Sequence, residues 1–108
     1  MVKRNKQPKQ IVISPQAKED ISAILSYLSK NWNQKVINEF LQKLETFYFT
    51  ISINPRVFGY HDKQKNIRKY SLTKQNIIFY RNKKTVIEII AVFDGRQDPV
   101  KLKKILRR

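Results

Sequence analysis

A single arginine stands just beyond the longest apolar run of the chain. The run stops at Asp94-Gly95, and Arg96 follows it, with Pro99 shortly after. Because Gly permits a tight turn and Pro suits the first turn of a helix, Arg96 is predicted on a short connection at the rim of a sheet. Arginines held in this way can recognise phosphate. The same arginine could instead pair with Asp94 or Asp98 to fix the turn, so both interpretations stay open.

The scarcity of cysteine and histidine excludes several kinds of site. The chain has no cysteine, which excludes disulfides, thiolate zinc sites and thiol nucleophiles. Its one histidine, His61, excludes a multi-histidine metal cluster. It also disfavours a serine hydrolase triad, because it falls in a turn-rich segment. We therefore expect neither a metal ion nor another cofactor.

Positive charge is concentrated in the C-terminal half. The chain has 23 Lys and Arg against 8 Asp and Glu, a net charge of +15. Residues 1–55 carry +4 of this charge and residues 56–108 carry +11. A net charge of roughly 2–8 would suffice for solubility, so the excess indicates a polyanionic partner, either nucleic acid or an acidic protein surface. No apolar run approaches the roughly 20 residues of a membrane span and no signal-type stretch is present, so we expect a cytoplasmic protein.

Apolar periodicity predicts four strands and three helices. Residues 1–9 are polar and basic and predict a flexible arm, ahead of a single domain over residues 10–108. Strands are predicted at residues 10–13, 67–72, 77–81 and 85–93, and helices at 15–30, 34–53 and 98–108. The stretch 56–66 is predicted as a polar loop.

The start of the first helix and the turn after it carry local signals. Ser14 can cap the helix, and Pro15 suits its first position. Glu19 and Asp20 lie near that start, where the helix dipole favours acidic side chains. The turn around Trp32 is so short that the two helices must form an antiparallel hairpin, with Trp32 as a packing anchor.

The last strand is apolar on both faces apart from Glu88, which is typical of an interior strand. Short loops join the three later strands into a meander. The fold class is therefore α+β in the order β-α-α-β-β-β, with a helical hairpin packed on a small, mostly antiparallel sheet and a short basic C-terminal helix.

Six stretches carry a family pattern in this same order. They are Ile11–Ile21, Tyr27–Trp32, Asn54-Pro55, Ile67–Tyr70, Ile77–Tyr80 and Phe93–Pro99. Taken together they resemble the RelE/ParE superfamily of bacterial type II toxins, over about residues 10 to 103. The resemblance implies a small plasmid-stabilisation type toxin that causes growth arrest and is neutralised by a cognate antitoxin.

Members of this superfamily divide by mechanism. RelE-like members cut mRNA on the ribosome, whereas ParE-like members poison DNA gyrase. Cleavage without a metal needs one group to activate the ribose hydroxyl, another to protonate the leaving oxygen, and cations to stabilise the phosphate.

The nuclease pattern carries over only in part. Arg96 matches the basic position after the last strand and Lys69 a basic position on the second strand of the superfamily. Two other nuclease positions fall near Ile77 and Leu102, which are apolar. The catalytic candidates, if the chain is a nuclease, are therefore Arg96, Lys69 and His61.

The other cations are candidates for binding nucleic acid or a target protein. They are Arg68, Arg81, Lys101, Lys103, Lys104, Arg107 and Arg108. Because neighbouring strand residues point to opposite faces, Arg68 and Lys69 cannot both join one basic site.

Three functions are compatible with these observations. The incomplete cluster favours a ParE-like toxin that acts by contact with gyrase. The alternatives are a ribosome-dependent mRNA endonuclease and a non-toxic nucleic-acid-binding module. For a toxin, we expect an acidic antitoxin to use the groove beside the second helix and the open sheet edges, as an amphipathic helix and an added strand.

Overall fold

The computed structural model describes residues 7–96 and 98–107. Its elements in chain order are β1 (Gln10–Ile13), α1 (Pro15–Asn31), α2 (Gln34–Ile53), β2 (Tyr60–Asp62), β3 (Ile67–Ser71), β4 (Asn76–Asn82), β5 (Val86–Asp94) and α3 (Pro99–Leu106). The strands form one sheet in the order β1-β5-β4-β3-β2. β1 is parallel to β5 and the other pairs are antiparallel, so the predicted α+β fold class is confirmed.

β5 is an interior strand, as its apolar faces predicted. It pairs with β1 on one side and with β4 on the other. The register between β4 and β5 shifts at Phe79 and Tyr80, where β5 contains one extra residue. The bulge leaves Tyr80 opposite Ile89 and Arg81 opposite Glu88.

The edge strand β2 lies inside the stretch predicted as a loop. It has only three residues, and its pairing with β3 is irregular, so it shows no strand periodicity in the sequence. Tyr60 is opposite Arg68, and the Lys69 N–H donates to the Gly59 carbonyl at 3.2 Å. The turn back into β3 uses Asn66 at φ 57, a left-handed conformation that Asn tolerates.

The arm predicted for residues 1–9 and the helix predicted for residues 98–108 each include positions outside the described residues. Within the arm predicted for residues 1–9, residues 1–6 lie outside the described ones. Lys9 donates its N–H to the Ser52 carbonyl and its Nζ to Asn82 Oδ1. α3 is shorter than the predicted 98–108, and it begins after Asp98, whose Oδ1 accepts the Val100 N–H at 3.0 Å.

The helical hairpin covers one face of the sheet. The core between them contains buried residues of both layers. From the hairpin these include Ile24, Phe40, Leu44, Phe47 and Ile51, and from the sheet Ile78, Tyr80, Ile87 and Ile89. Burying one such side chain contributes about 1.5–3 kcal/mol. No helix in the described part of the chain is both long and apolar enough to cross a membrane.

Trp32 does not pack as predicted. It is the C-cap residue of α1, and its backbone N–H donates to the Leu28 carbonyl. The residue is 59% exposed. The prediction was wrong because the cap places the indole beyond the last turn of α1, at the rim of a groove, rather than between the two helices.

The short helix α3 covers part of the other face. Leu106 packs there with Ile67 and Phe79, and Leu102 lies at the border of this second core. α3 spans only eight residues, so the outer part of this face, near β2 and β3, stays open. We call this side of the sheet the α3 face.

Candidate functional site

Arg96 is held by two neighbours at the end of β5. Its Nε donates to Asp94 Oδ1 at 2.9 Å, and its Nη2 bonds the second carboxylate oxygen, so the pair is bidentate. The guanidinium also lies 4.0 Å from the ring centroid of Tyr27 on α1, a cation–π distance. The bond to Arg96 lowers the pKa of the Asp94 carboxyl. The sequence left open whether Arg96 recognises phosphate or pairs with an acid, and in the structure it pairs with Asp94.

Lys69 and His61 lie on the α3 face, away from Arg96. His61 is exposed and sets its ring edge-on against Phe79, with 5.1 Å between centroids. Lys69 is opposite Phe79 in the sheet and is also exposed. Arg96, by contrast, contacts the helical hairpin through Tyr27. The fold therefore brings two of the three predicted catalytic residues to one face and places the third elsewhere.

A shallow cleft of about 160 Å³ lies on the α3 face between β2 and α3. Its lining consists of His61, Asp62, Lys65, Ile67, Lys103, Leu106 and Arg107, and we call it the basic cleft. Lys103 and Arg107 were predicted from sequence to bind nucleic acid or a target. Lys65 was missed because it lies in the turn before β3, where no periodicity marks the side of the sheet it joins.

Arg81 is engaged by a neighbouring strand. It is opposite Glu88, and its Nη1 lies 3.6 Å from Glu88 Oε1, while Lys83 Nζ is 3.3 Å from the same oxygen. Lys101 and Lys104 are exposed on α3. Burial raises the pKa of the Asp20 carboxyl, and the charge of Lys101 is one of the smaller effects that oppose this rise. Arg108 lies outside the described residues.

Arg68 is buried, with 8% of its surface exposed. Its Nη1 donates to the Phe58 carbonyl at 2.6 Å and to the Arg56 carbonyl at 3.3 Å, and its guanidinium stacks on Tyr60 at 3.9 Å. These contacts tie the segment between α2 and β2 to β3. They favour a structural role for Arg68, whereas Lys69, on the opposite face, is the exposed partner of the pair.

Several grooves lie along α2, and two of them border the aromatic stack and the turn of the hairpin. One runs between α2 and β3, and its lining includes Glu39, Thr46, Phe47, Phe58, Tyr70 and Leu72. We call it the α2–β3 groove. Its floor is an aromatic stack. The ring centroids of Tyr70 and Phe58 lie 4.1 Å apart, and those of Phe47 and Tyr70 lie 5.5 Å apart. Phe58 was missed as a candidate because it falls in the predicted loop.

The second groove lies at the turn of the hairpin. Its lining includes Tyr27, Leu28, Trp32, Val36, Phe40, Gln75 and Arg96. We call it the hairpin groove. Arg96 therefore forms part of a largely apolar wall here.

The fold and the site define a class: a small basic α+β domain with a helical hairpin on a five-stranded sheet and cations on the opposite face. The model of the family described as ParE toxin of type II toxin-antitoxin system, parDE, matches residues 11–99. The chain belongs to this family, and its resemblance to the RelE/ParE superfamily is confirmed. No curated protein matches it by sequence.

Two solved structures have a similar fold. A chain of the chromosomal ParDE TA system from P. aeruginosa is 14% identical with a TM-score of 0.65, covering 80% of this chain and 95% of that one. The YoeB dimer from Staphylococcus aureus is 18% identical with a TM-score of 0.57, covering 81% of this chain and 97% of that one.

Proposed function

We propose that this toxin acts in the cytoplasm by binding DNA gyrase and so arrests growth. The observation that carries the proposal is the position of Arg96. Its guanidinium is neutralised by Asp94 and stacked on Tyr27, on the hairpin side, while Lys69 and His61 lie on the α3 face. A metal-independent nuclease needs its cations and proton-transfer groups around one phosphate.

Two further observations support contact rather than cleavage. Two other nuclease positions of the superfamily fall near Ile77 and Leu102, which are apolar and pack, partly buried, against the second core. The matching family model is described as ParE toxin, over residues 11–99, and the resemblance to ParE-like members is what implies gyrase as the target.

The test compares two targets with one protein preparation. Purified toxin is added to gyrase supercoiling of relaxed plasmid and, separately, to a reconstituted translation reaction whose message ends are mapped by primer extension. We expect inhibited supercoiling and intact message. New cuts within ribosome-occupied codons, lost in Arg96→Ala, would overturn the proposal in favour of the endonuclease. Growth without arrest on overexpression would leave only the non-toxic nucleic-acid-binding module.

We also propose that an acidic antitoxin neutralises the toxin at the α2–β3 groove. The groove joins the aromatic stack of Phe47, Phe58 and Tyr70 to an open strand edge, because β2 pairs with β3 only as far as Lys69. An amphipathic segment can place apolar side chains on the stack and pair with the free edge at Ser71. The toxin's net charge of +15 favours acidic residues in that segment.

A further inference from the structure

The basic cleft carries more positive charge than its own residues neutralise. Lys65, Lys103 and Arg107 line it together with one acid, Asp62, whose Oδ1 accepts the backbone N–H of Lys65 at 3.2 Å. In the described residues the ion pairs lie elsewhere, on Glu88 and Asp94. The cleft is thus a concave surface with an excess of exposed cations.

These cations project from fixed backbone. Arg81 Nε donates to the Lys65 carbonyl at 3.1 Å, which ties the β2–β3 turn to β4. Leu106, only 8% exposed, anchors α3 on the sheet between the turns that carry Lys103 and Arg107. Because the backbone is ordered before any ligand arrives, only side-chain freedom remains to be lost on binding.

Lys69 extends the positive surface along β3. It lies on the same face as Ile67, which lines the cleft, since residues two apart on a strand share a face. The negative end of the α3 dipole opposes an anion here, but it amounts to only about half an elementary charge. Lys103 and Arg107, at that same end, carry two full charges.

The shape of the cleft distinguishes between nucleic acids. Single-stranded RNA is held largely by stacking its bases on exposed aromatic side chains. Among the described residues that line the cleft the only ring is His61, and it is turned edge-on against Phe79 at 76°. Lysines and an arginine on an open aliphatic floor suit a phosphate backbone, which is contacted without reading bases.

We propose that the basic cleft, with Lys69, binds the phosphodiester backbone of duplex DNA. The contact is electrostatic and independent of sequence. The inference deepens the proposed function and rests on it for its biological setting, because a toxin that acts on gyrase meets its target with duplex DNA bound. The cleft would then add DNA contacts to those made with the enzyme.

The test measures binding of a short labelled duplex by fluorescence anisotropy at several salt concentrations. The cleft variant is Lys65→Ala/Lys103→Ala/Arg107→Ala. The control, Lys18→Ala/Lys30→Ala/Lys35→Ala, removes the same charge from exposed positions on the hairpin.

The cleft variant should bind the duplex at least about tenfold more weakly, and the slope of log Kd against log salt should fall by about 2–3, since each phosphate contact contributes about 0.9. The control should change little in slope. Equal losses in both variants would overturn the proposal, because they would trace binding to net charge alone. Tighter binding of single-stranded RNA than of the duplex would overturn the choice of DNA.

Supercoiling assays with the same variants separate this inference from the proposed function. Inhibition of gyrase by a toxin that does not bind duplex DNA refutes the cleft proposal and leaves the gyrase proposal intact. Cleft-dependent binding of duplex DNA without gyrase inhibition refutes the gyrase proposal and supports the DNA site. Circular dichroism melting of each variant establishes that it is folded.

Discussion

The Asp20 carboxylate on α1 accepts the backbone N–H of Val92 on β5, with 2.9 Å between Oδ2 and N. β1 pairs with β5 only as far as Ile89. Beyond this last pair, the Oγ of Ser14 donates to the Ile90 carbonyl at 2.8 Å. Asp20 then supplies the acceptor that a longer β1 would have provided. The side chains of the N-cap residue Ser14 and of Asp20 on α1 therefore extend the parallel pairing of β1 and β5.

Removing the Asp20 acceptor should destabilise the protein. Asp20→Ala leaves the buried Val92 amide without a partner, which costs about 1–3 kcal/mol in the free energy of unfolding. Asp20→Asn keeps a side-chain oxygen for Val92 and should cost less. Urea unfolding at neutral pH measures both. Equal stability of Asp20→Ala and the wild type would contradict this role.

The stability of the wild type should also depend on Asp20 ionisation. Burial raises the pKa of Asp20 above its ordinary 3.8, against smaller opposing effects of its hydrogen bonds to Val92 and Gln16. The folded protein therefore holds this proton more tightly than the unfolded chain. The contribution of this group to stability falls as pH rises from about 3.8 through the folded pKa. The unfolding free energy of the wild type minus that of Asp20→Asn should fall over that window, and a pH-independent difference would refute the shift.

The strand–helix junction at Ser14 was predictable because capping and proline placement are local. The partner of Asp20 was not, because Val92 lies 72 positions further along the chain and the local sequence indicates only a favourable position in the helix dipole. β2 escaped prediction because its three residues pair through a bulge. The sequence could suggest that Arg96 pairs with Asp94 or Asp98, but it could not choose between this and phosphate recognition. The contact of Arg96 with Tyr27 depends on the packing of α1 on β5, which no local pattern reveals.

Arg68 should act as a clamp on the segment between α2 and β2. Arg68→Met removes the donors to the Arg56 and Phe58 carbonyls and should destabilise the protein by about 1–3 kcal/mol. Amide hydrogen exchange should accelerate more in residues 56–60 than in β4. Arg56→Met, whose side chain is exposed, is the control and should leave both measurements near the wild type. Unchanged exchange in residues 56–60 of Arg68→Met would contradict the clamp.

The ion pair at the end of β5 should be visible in the titration of Asp94. The bond to Arg96 lowers the pKa of this carboxyl. In Arg96→Ala the pKa of Asp94 should rise, because the bond from the guanidinium is lost while the backbone N–H of residue 96 and partial burial still act on the carboxyl. Carbon-detected NMR titration of the aspartate carboxyls measures the change. Arg81→Ala, which breaks the pair with Glu88, should leave the Asp94 pKa where it is. An Asp94 pKa that stays low in Arg96→Ala would assign the shift to another neighbour.

The aromatic stack should contribute to the affinity for the antitoxin. Tyr70 is 36% exposed and contributes an open ring face to the α2–β3 groove, stacked on Phe58 at 4.1 Å. Tyr70→Ala should weaken binding of the antitoxin at least about tenfold, since aromatic anchors contribute about 2 kcal/mol or more to an interface. Phe49→Ala is the matched control, because Phe49 is 68% exposed and does not line this groove. Calorimetric titration of toxin with antitoxin gives both affinities. If the two variants lose affinity equally, or if only Phe49→Ala loses it, the antitoxin lies on another face of α2.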